Sequence, residues 1–160
     1  MTIENSFITL AKHPLKFRAF MLSKLPSAYF SGVRMQELQQ DKAVVSVPYK
    51  WFSTNPFRST YFACLAMAAE MSTGLLAMIH CYKSTPAVSM LVANMEASFM
   101  KKATGKIFFH CNDGMAIKQA VEKAKSTGEP QTVQVISKGY NIDGQIAAEF
   151  KFTWTFKAKR

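Results

Sequence analysis

Residues 55–74 read NPFRSTYFACLAMAAEMSTG. Asn55-Pro56 is a turn signal, and Ser59 or Thr60 supplies an N-cap for a helix running to about Tyr82. From Tyr61 to Ala69 this helix is apolar on nearly every side, so other elements must surround it, and a curved sheet would do so. Length alone also fits a membrane span, but Glu70, His80 and several hydroxyl residues interrupt it and strand-like sequence flanks it. The reading is a buried helix. Glu70 is then its one acid, and an unpaired buried carboxylate costs several kcal/mol, so either a basic partner or a chemical task is expected for it.

Strand patterns lie on both sides. Before the helix, segments at about 31–39 and 42–50 are joined by the polar turn Gln39-Gln40-Asp41 and read as a hairpin; in the second, Ala43, Val45, Val47 and Tyr49 alternate with polar residues. After it, segments at about 87–100, 104–112, 130–140 and 144–156 continue the sheet. Thr104-Gly105 and Asp143-Gly144 are tight-turn signals that predict antiparallel hairpins between their neighbours. The closing strand is the clearest, with Ile146, Ala148, Phe150, Phe152, Trp154 and Phe156 on one face. Residues 115–126, MAIKQAVEKAKS, form a short amphipathic helix ending near Gly128.

Upstream, residues 6–25 space Phe7, Leu10, Ala11, Phe17, Phe20, Met21 and Leu25 at helical intervals, with Lys12, Lys16, Arg18 and Lys24 between them. This is a basic amphipathic helix, broken at Pro14 and ended by Pro26. Two roles are open for its apolar face: covering the domain, or peripheral contact with a membrane.

The chain has 160 residues, enough for one domain with a sizeable core; 49% are apolar and 19% charged. Its formal charge of +10 favours anionic partners. The lysines are dispersed, clustering only at Lys101-Lys102 and in the tail Lys157, Lys159, Arg160, which argues against a nucleic-acid-binding arm. Cys64, Cys81 and Cys111 lie in apolar segments without metal-site spacing and read as buried thiols; His13, His80 and His110 share no ligand spacing either. The N-terminus has no signal-peptide pattern, so a cytoplasmic location is expected.

One long helix after two strands, followed by a four-stranded antiparallel run, resembles the hotdog fold. Residues 55–74 resemble its turn-plus-helix signature, in which Asn or His precedes a small-residue helix start and an acid lies further along. MEASFMKKATGKI, residues 95–107, is similar to the next strand and turn of the acyl-CoA thioesterase-like (PaaI-like) branch, and DGQIAAEFKFTWTF, residues 143–156, to its closing strand. Within that superfamily the Asn-Pro start, the Ala69-Glu70 pair and the Lys-Ala-x-Gly turn look most like the uncharacterised DUF4442 family. The resemblance implies an α+β hotdog domain, a curved antiparallel sheet around a long central helix. Residues 1–28 would be an added N-terminal helical extension and 29–157 the hotdog core.

It also implies a chemistry: hydrolysis of an acyl-CoA or acyl-carrier thioester by a homodimer or dimer of dimers, with no cofactor except the coenzyme A of the substrate. The helix start, Arg58 to Tyr61, offers unpaired N–H groups to a polarised carbonyl. Asn55 would add a donor or position a water, and Glu70 would be general base or nucleophile, contributed across a dimer interface as in related enzymes. Arg58, Ser59, Thr60 and Tyr61 would contact substrate, and Lys101 and Lys102 its phosphates. Many active relatives carry Asp and a Gly-Gly pair where this chain has Glu70 and Arg58-Ser59. The competing readings are a binding protein for an acyl chain, acyl-CoA or other lipid, and purely structural roles: Asn55 as a turn residue, Ser59 and Thr60 as caps, Tyr61 as core, and Glu70 as a paired acid fixing a dimer's register. Met67, Met71, Met78, Met90 and Met95 would either line an acyl tunnel or fill core gaps.

Overall fold

Alternating apolar residues in the second half of the chain and an all-round apolar helix in its middle demand a sheet with one face against that helix. A computed structural model describes residues 3–159 and the side chains of residues 6–159; of the basic tail, Arg160 lies outside them. Three helices come first, α1 (Ile3–Lys12), α2 (Pro14–Lys24) and α3 (Pro26–Phe30). Strands β1 (Arg34–Leu38) and β2 (Ala43–Val47) follow, then a one-turn 3-10 helix (Trp51–Ser53) and the central helix α4 (Phe62–Cys81). The chain continues through β3 (Val88–Phe99), β4 (Ile107–Cys111), α5 (Gly114–Thr127), β5 (Gln131–Tyr140) and β6 (Ile146–Ala158).

The six strands form one antiparallel sheet in the order β1-β2-β4-β5-β6-β3. This is the expected hotdog arrangement. The hairpin β1–β2 and the Asp143-Gly144 turn between β5 and β6 are as read from sequence. Thr104-Gly105 does not join a hairpin. It reverses the chain between β3 at one edge and β4 inside the sheet, because the connecting segment crosses the start of α4, where the Ala103 carbonyl accepts from the Thr60 amide at 2.8 Å.

Helix α4 lies across the sheet, enclosed by it on one side and by α1, α3 and α5 on others. It is long and apolar enough to cross a membrane, yet its surface is mostly taken up inside the fold. Its hydroxyl residues set its rotation. Ser72 and Ser137 of β5 share a hydrogen bond at 2.7 Å, and the Trp154 indole of β6 donates to Thr73 Oγ1 at 2.9 Å. Beneath them Phe150, Phe152, Trp154 and Phe156 form the buried face read in β6.

The N-terminal segment breaks at Pro14 as expected, with His13 capping α2 through its Nδ1. The basic helix ends at Lys24, just before Pro26 as expected, and Pro26 itself opens the short helix α3, where its missing N–H costs nothing. Phe7, Ala11, Phe17 and Met21 are buried in the common core, so this apolar face covers the domain, while Leu15, Leu22 and Leu25 face solvent. At the start of α5, Gly114 packs against the turn between β1 and β2, where a side chain would collide with the Gln40 carbonyl and the Asp41 backbone. The adjacent Asp113 accepts from the Ile136 amide at 2.7 Å, a structural task in β5.

Candidate functional site

The helix starts one or two residues later than the sequence suggests. Tyr61, not Ser59 or Thr60, occupies the N-cap position, and its side chain makes no capping bond. The Cys64 and Leu65 amides both turn back to the Tyr61 carbonyl. Phe62 and Ala63, the first two residues of α4, are thereby left as amide donors with no protein acceptor among the described residues.

The loop before them is organised by Asn55. Its Oδ1 accepts from the amides of Phe57 (3.0 Å) and Ser59 (3.2 Å) and from Ser59 Oγ (3.2 Å). Its Nδ2 makes only a long bond, 3.5 Å, to the Thr60 carbonyl. The carbonyl end is therefore committed to the turn, and the amide NH₂ is the part able to serve a ligand. Arg58 adopts φ 57°, the left-handed region, and does not line the pocket formed here. Thr60 does, and its buried Oγ1 has no partner among the described residues.

That pocket has a volume of about 530 Å³. It brings together Asn55, Ser59, Thr60, Tyr61, Lys101 and Lys102 of the sequence reading, and adds Phe62, Phe99 and Met100. Lys101 Nζ donates to Gln145 Oε1, whereas Lys102 extends into solvent at the rim. Phe62 and Phe99 are 55% and 52% exposed, an apolar rim left without cover.

Glu70 is elsewhere. It stands eight residues along α4 from Phe62, roughly 12 Å at the helical rise, and lines two smaller cavities of about 220 and 200 Å³ between α4 and the α2–α3 corner. No hydrogen bond or ion pair to its carboxylate occurs among the described residues, and burial raises its pKa above the ordinary value of 4.5. Met67, Met71, Met78 and Met90 line these cavities, while Met95 lies exposed on β3. Burial also pushes the Cys81 and Cys111 thiols up to about 11 and about 12, so neither is a thiolate nucleophile at neutral pH. Among the described residues no cluster of His, Cys, Asp and Glu could hold a metal ion.

Residues 15–156 match a family described as a domain of unknown function, DUF4442. The chain belongs to the DUF4442 family. No curated protein matches it. Among solved structures, similarity extends to a Pseudomonas aeruginosa protein of unknown function described as "Probable Thioesterase", with 20% identity over 89% of this chain and 93% of that one and a TM-score of 0.76. A mutant thioesterase from the same organism shares 12% identity over 91% and 94% of the two chains, TM-score 0.67. The PaaI protein of the Escherichia coli phenylacetic acid degradation operon shares 11% identity over 99% and 97%, TM-score 0.67. At these identities the likeness establishes the hotdog fold and leaves the chemistry to the residues.

Three features of this DUF4442 chain escaped the sequence reading. The donors at the helix start are the backbone amides of Phe62 and Ala63, and nothing in an apolar side chain signals a free amide. The pocket's far wall comes from Phe99 and Met100, brought to the helix start by the crossing after β3. Gly74 sits one turn beyond Glu70 and faces its carboxylate; a glycine inside a helix, about 1 kcal/mol worse than alanine there, was the available signal.

Proposed function

We propose that this protein hydrolyses the thioester of an acyl-CoA or acyl-carrier substrate, at a site assembled from the α4 start of one subunit and Glu70 of another. One observation carries the reading: the two half-sites lie at opposite ends of the same edge strand. The helix-start pocket includes Phe99 at the C-terminal end of β3, and the Glu70 cavity includes Met90 near its N-terminal end.

β3 has a neighbour on one side only. It is twelve residues long and exposes Leu91, Met95 and Phe99, which makes it a template for another strand. Closed homodimers are usually two-fold symmetric, and a two-fold axis pairs an edge strand with its copy antiparallel. Such pairing sets the C-terminal end of one β3 beside the N-terminal end of the other. It carries each helix start toward the partner's Glu70 and covers the apolar rim.

In that arrangement the Phe62 and Ala63 amides, with the helix dipole behind them, stabilise the oxyanion that forms as the thioester carbonyl is attacked. Glu70, held in an apolar cavity, takes the proton of an attacking water or attacks directly to form an anhydride that water then opens. Either route yields the carboxylic acid and the free thiol, with no cofactor beyond the carrier on the substrate. Lys102 at the rim, with Lys101 beside it, suits the phosphates of coenzyme A or of an acidic carrier.

The commitment of Asn55 Oδ1 to its loop favours the second reading, a hotdog protein that binds an acyl group without turnover. Thiol release from a series of acyl-CoA substrates separates the two. Hydrolysis is expected, with Glu70→Ala reduced at least ~100-fold, within the range typical for loss of a general base; equal rates for both proteins would leave only the binding reading.

A further inference from the structure

The two cavities beside Glu70 share Lys24, Leu25, Glu70 and Met71, and so lie end to end along α4 with the carboxylate between them. Their chemistry differs. Toward α3 the lining includes Pro26, Ser27 and Ala28. In the other direction it is chiefly Phe7, Phe20, Leu75, Met78 and Met90, an apolar cleft that is partly open to solvent. Two of those walls, Phe7 and Phe20, come from α1 and α2, and their rings meet edge-to-face at 6.5 Å.

Lys24 and Glu70 apart, this lining is apolar, and the Glu70 carboxylate has no hydrogen-bond or ion-pair partner among the described residues. The cavity is thus a poor place for water, which needs several polar neighbours to be held. It suits a short alkyl chain whose polar end stays at Glu70. We propose that this apolar cleft is the acyl chamber, and that the N-terminal helices, through the Phe7 and Phe20 that wall it, set the length of acyl group the protein accepts. The inference rests on the thioesterase reading for the identity of the ligand, and on the cavity alone for its shape.

The chamber holds about 200 Å³. At ~30 Å³ for each water-sized group, that is room for on the order of six carbons beyond the carbonyl. A longer chain has to displace the aromatic pair, and a shorter one leaves apolar wall unfilled. Methionine suits such a lining because its unbranched thioether repacks around chains of slightly different length.

The test uses the 160-residue chain labelled with ¹³C at the methionine methyls and titrated with straight-chain methyl ketones of four to fourteen carbons, uncharged mimics of an acyl group. The Met71, Met78 and Met90 signals are expected to shift while Met95, exposed on β3, does not, and affinity is expected to climb to about eight carbons and then fall. Phe20→Ala should move that maximum to longer chains by two carbons or more. Leu25→Trp, at the half-exposed mouth, should weaken binding at least tenfold without disturbing the core, and serves if Phe20→Ala fails to fold.

Affinity that climbs through fourteen carbons unaffected by either substitution, or shifts confined to Met95, would overturn the chamber. Running the matching acyl-CoA substrates beside the ketones separates the two ideas. A length maximum without thiol release keeps the chamber and removes the thioesterase. Thiol release whose length profile ignores Leu25→Trp, and Phe20→Ala where it folds, does the reverse.

Discussion

A Cβ on Gly74 would sit 3.1 Å from Glu70 Oε1 and 3.6 Å from the Trp154 ring, so the carboxylate lies folded back along its own helix over a residue with no side chain. Alanine in a helix interior is normally about 1 kcal/mol better than glycine. In Gly74→Ala most of that gain should survive, because the carboxylate tip can move aside by a few tenths of an ångström. Turnover should fall several-fold as the carboxylate leaves its place. Thermal denaturation together with kcat checks this, and unchanged kcat would show that Gly74 does not position Glu70.

Glu70 also makes stability depend on pH. Its pKa is raised in the fold by burial, so the folded state prefers the protonated acid. Its favourable contribution is complete below the unfolded value of about 4.5 and is lost as pH rises through the raised folded value. Glu70→Gln should therefore be more stable than the wild type at neutral pH, with the difference shrinking toward acid. Denaturant titrations of both proteins from pH 4 to pH 8 measure the gap. As a general base Glu70 must be ionised, so kcat/KM should rise through the same raised pKa.

The Trp154–Thr73 hydrogen bond ties the last strand to the central helix, and both side chains are buried. Thr73→Val preserves shape and leaves the indole N–H without an acceptor. A loss of ~1–3 kcal/mol is expected, the cost of an unsatisfied buried donor. Urea unfolding should show it as a lower midpoint with an unchanged slope.

The alternation in β6 and the all-round apolar character of α4 were legible because each reports a local environment repeated along the chain. Strand order was less so. A Thr-Gly turn signals that the chain reverses but not which strand lies next to it, and β3 went to the edge while β4 was inserted between β2 and β5. The candidate site was legible as residue types and not as an assembly. Asn55, Thr60 and Lys102 share one pocket at the start of α4, whereas Glu70, eight residues along that helix from Phe62, faces another. Helical spacing gave the separation along the axis; the side on which each half-site opens depends on packing against α2 and β3, which no local pattern encodes.

Joining those halves across two subunits is the central claim, and a mixed-dimer experiment tests it directly. Phe62 is the first residue of α4 and Tyr61 before it has ψ 132°, a geometry that accepts proline next. Phe62→Pro should thus delete one oxyanion donor while keeping the helix, and should fall far below Phe62→Ala, which loses the same ring and retains the amide. Glu70→Gln deletes the carboxylate. If the site spans the interface, unfolding and refolding the two inactive proteins together in equal amounts gives hybrids with one intact site and one doubly damaged site. Thiol release should then return to about a quarter of the wild-type rate for a freely mixing two-fold dimer. Activity that stays at the level of the separate variants, in a mixture shown by mass spectrometry to contain hybrids, would contradict the account.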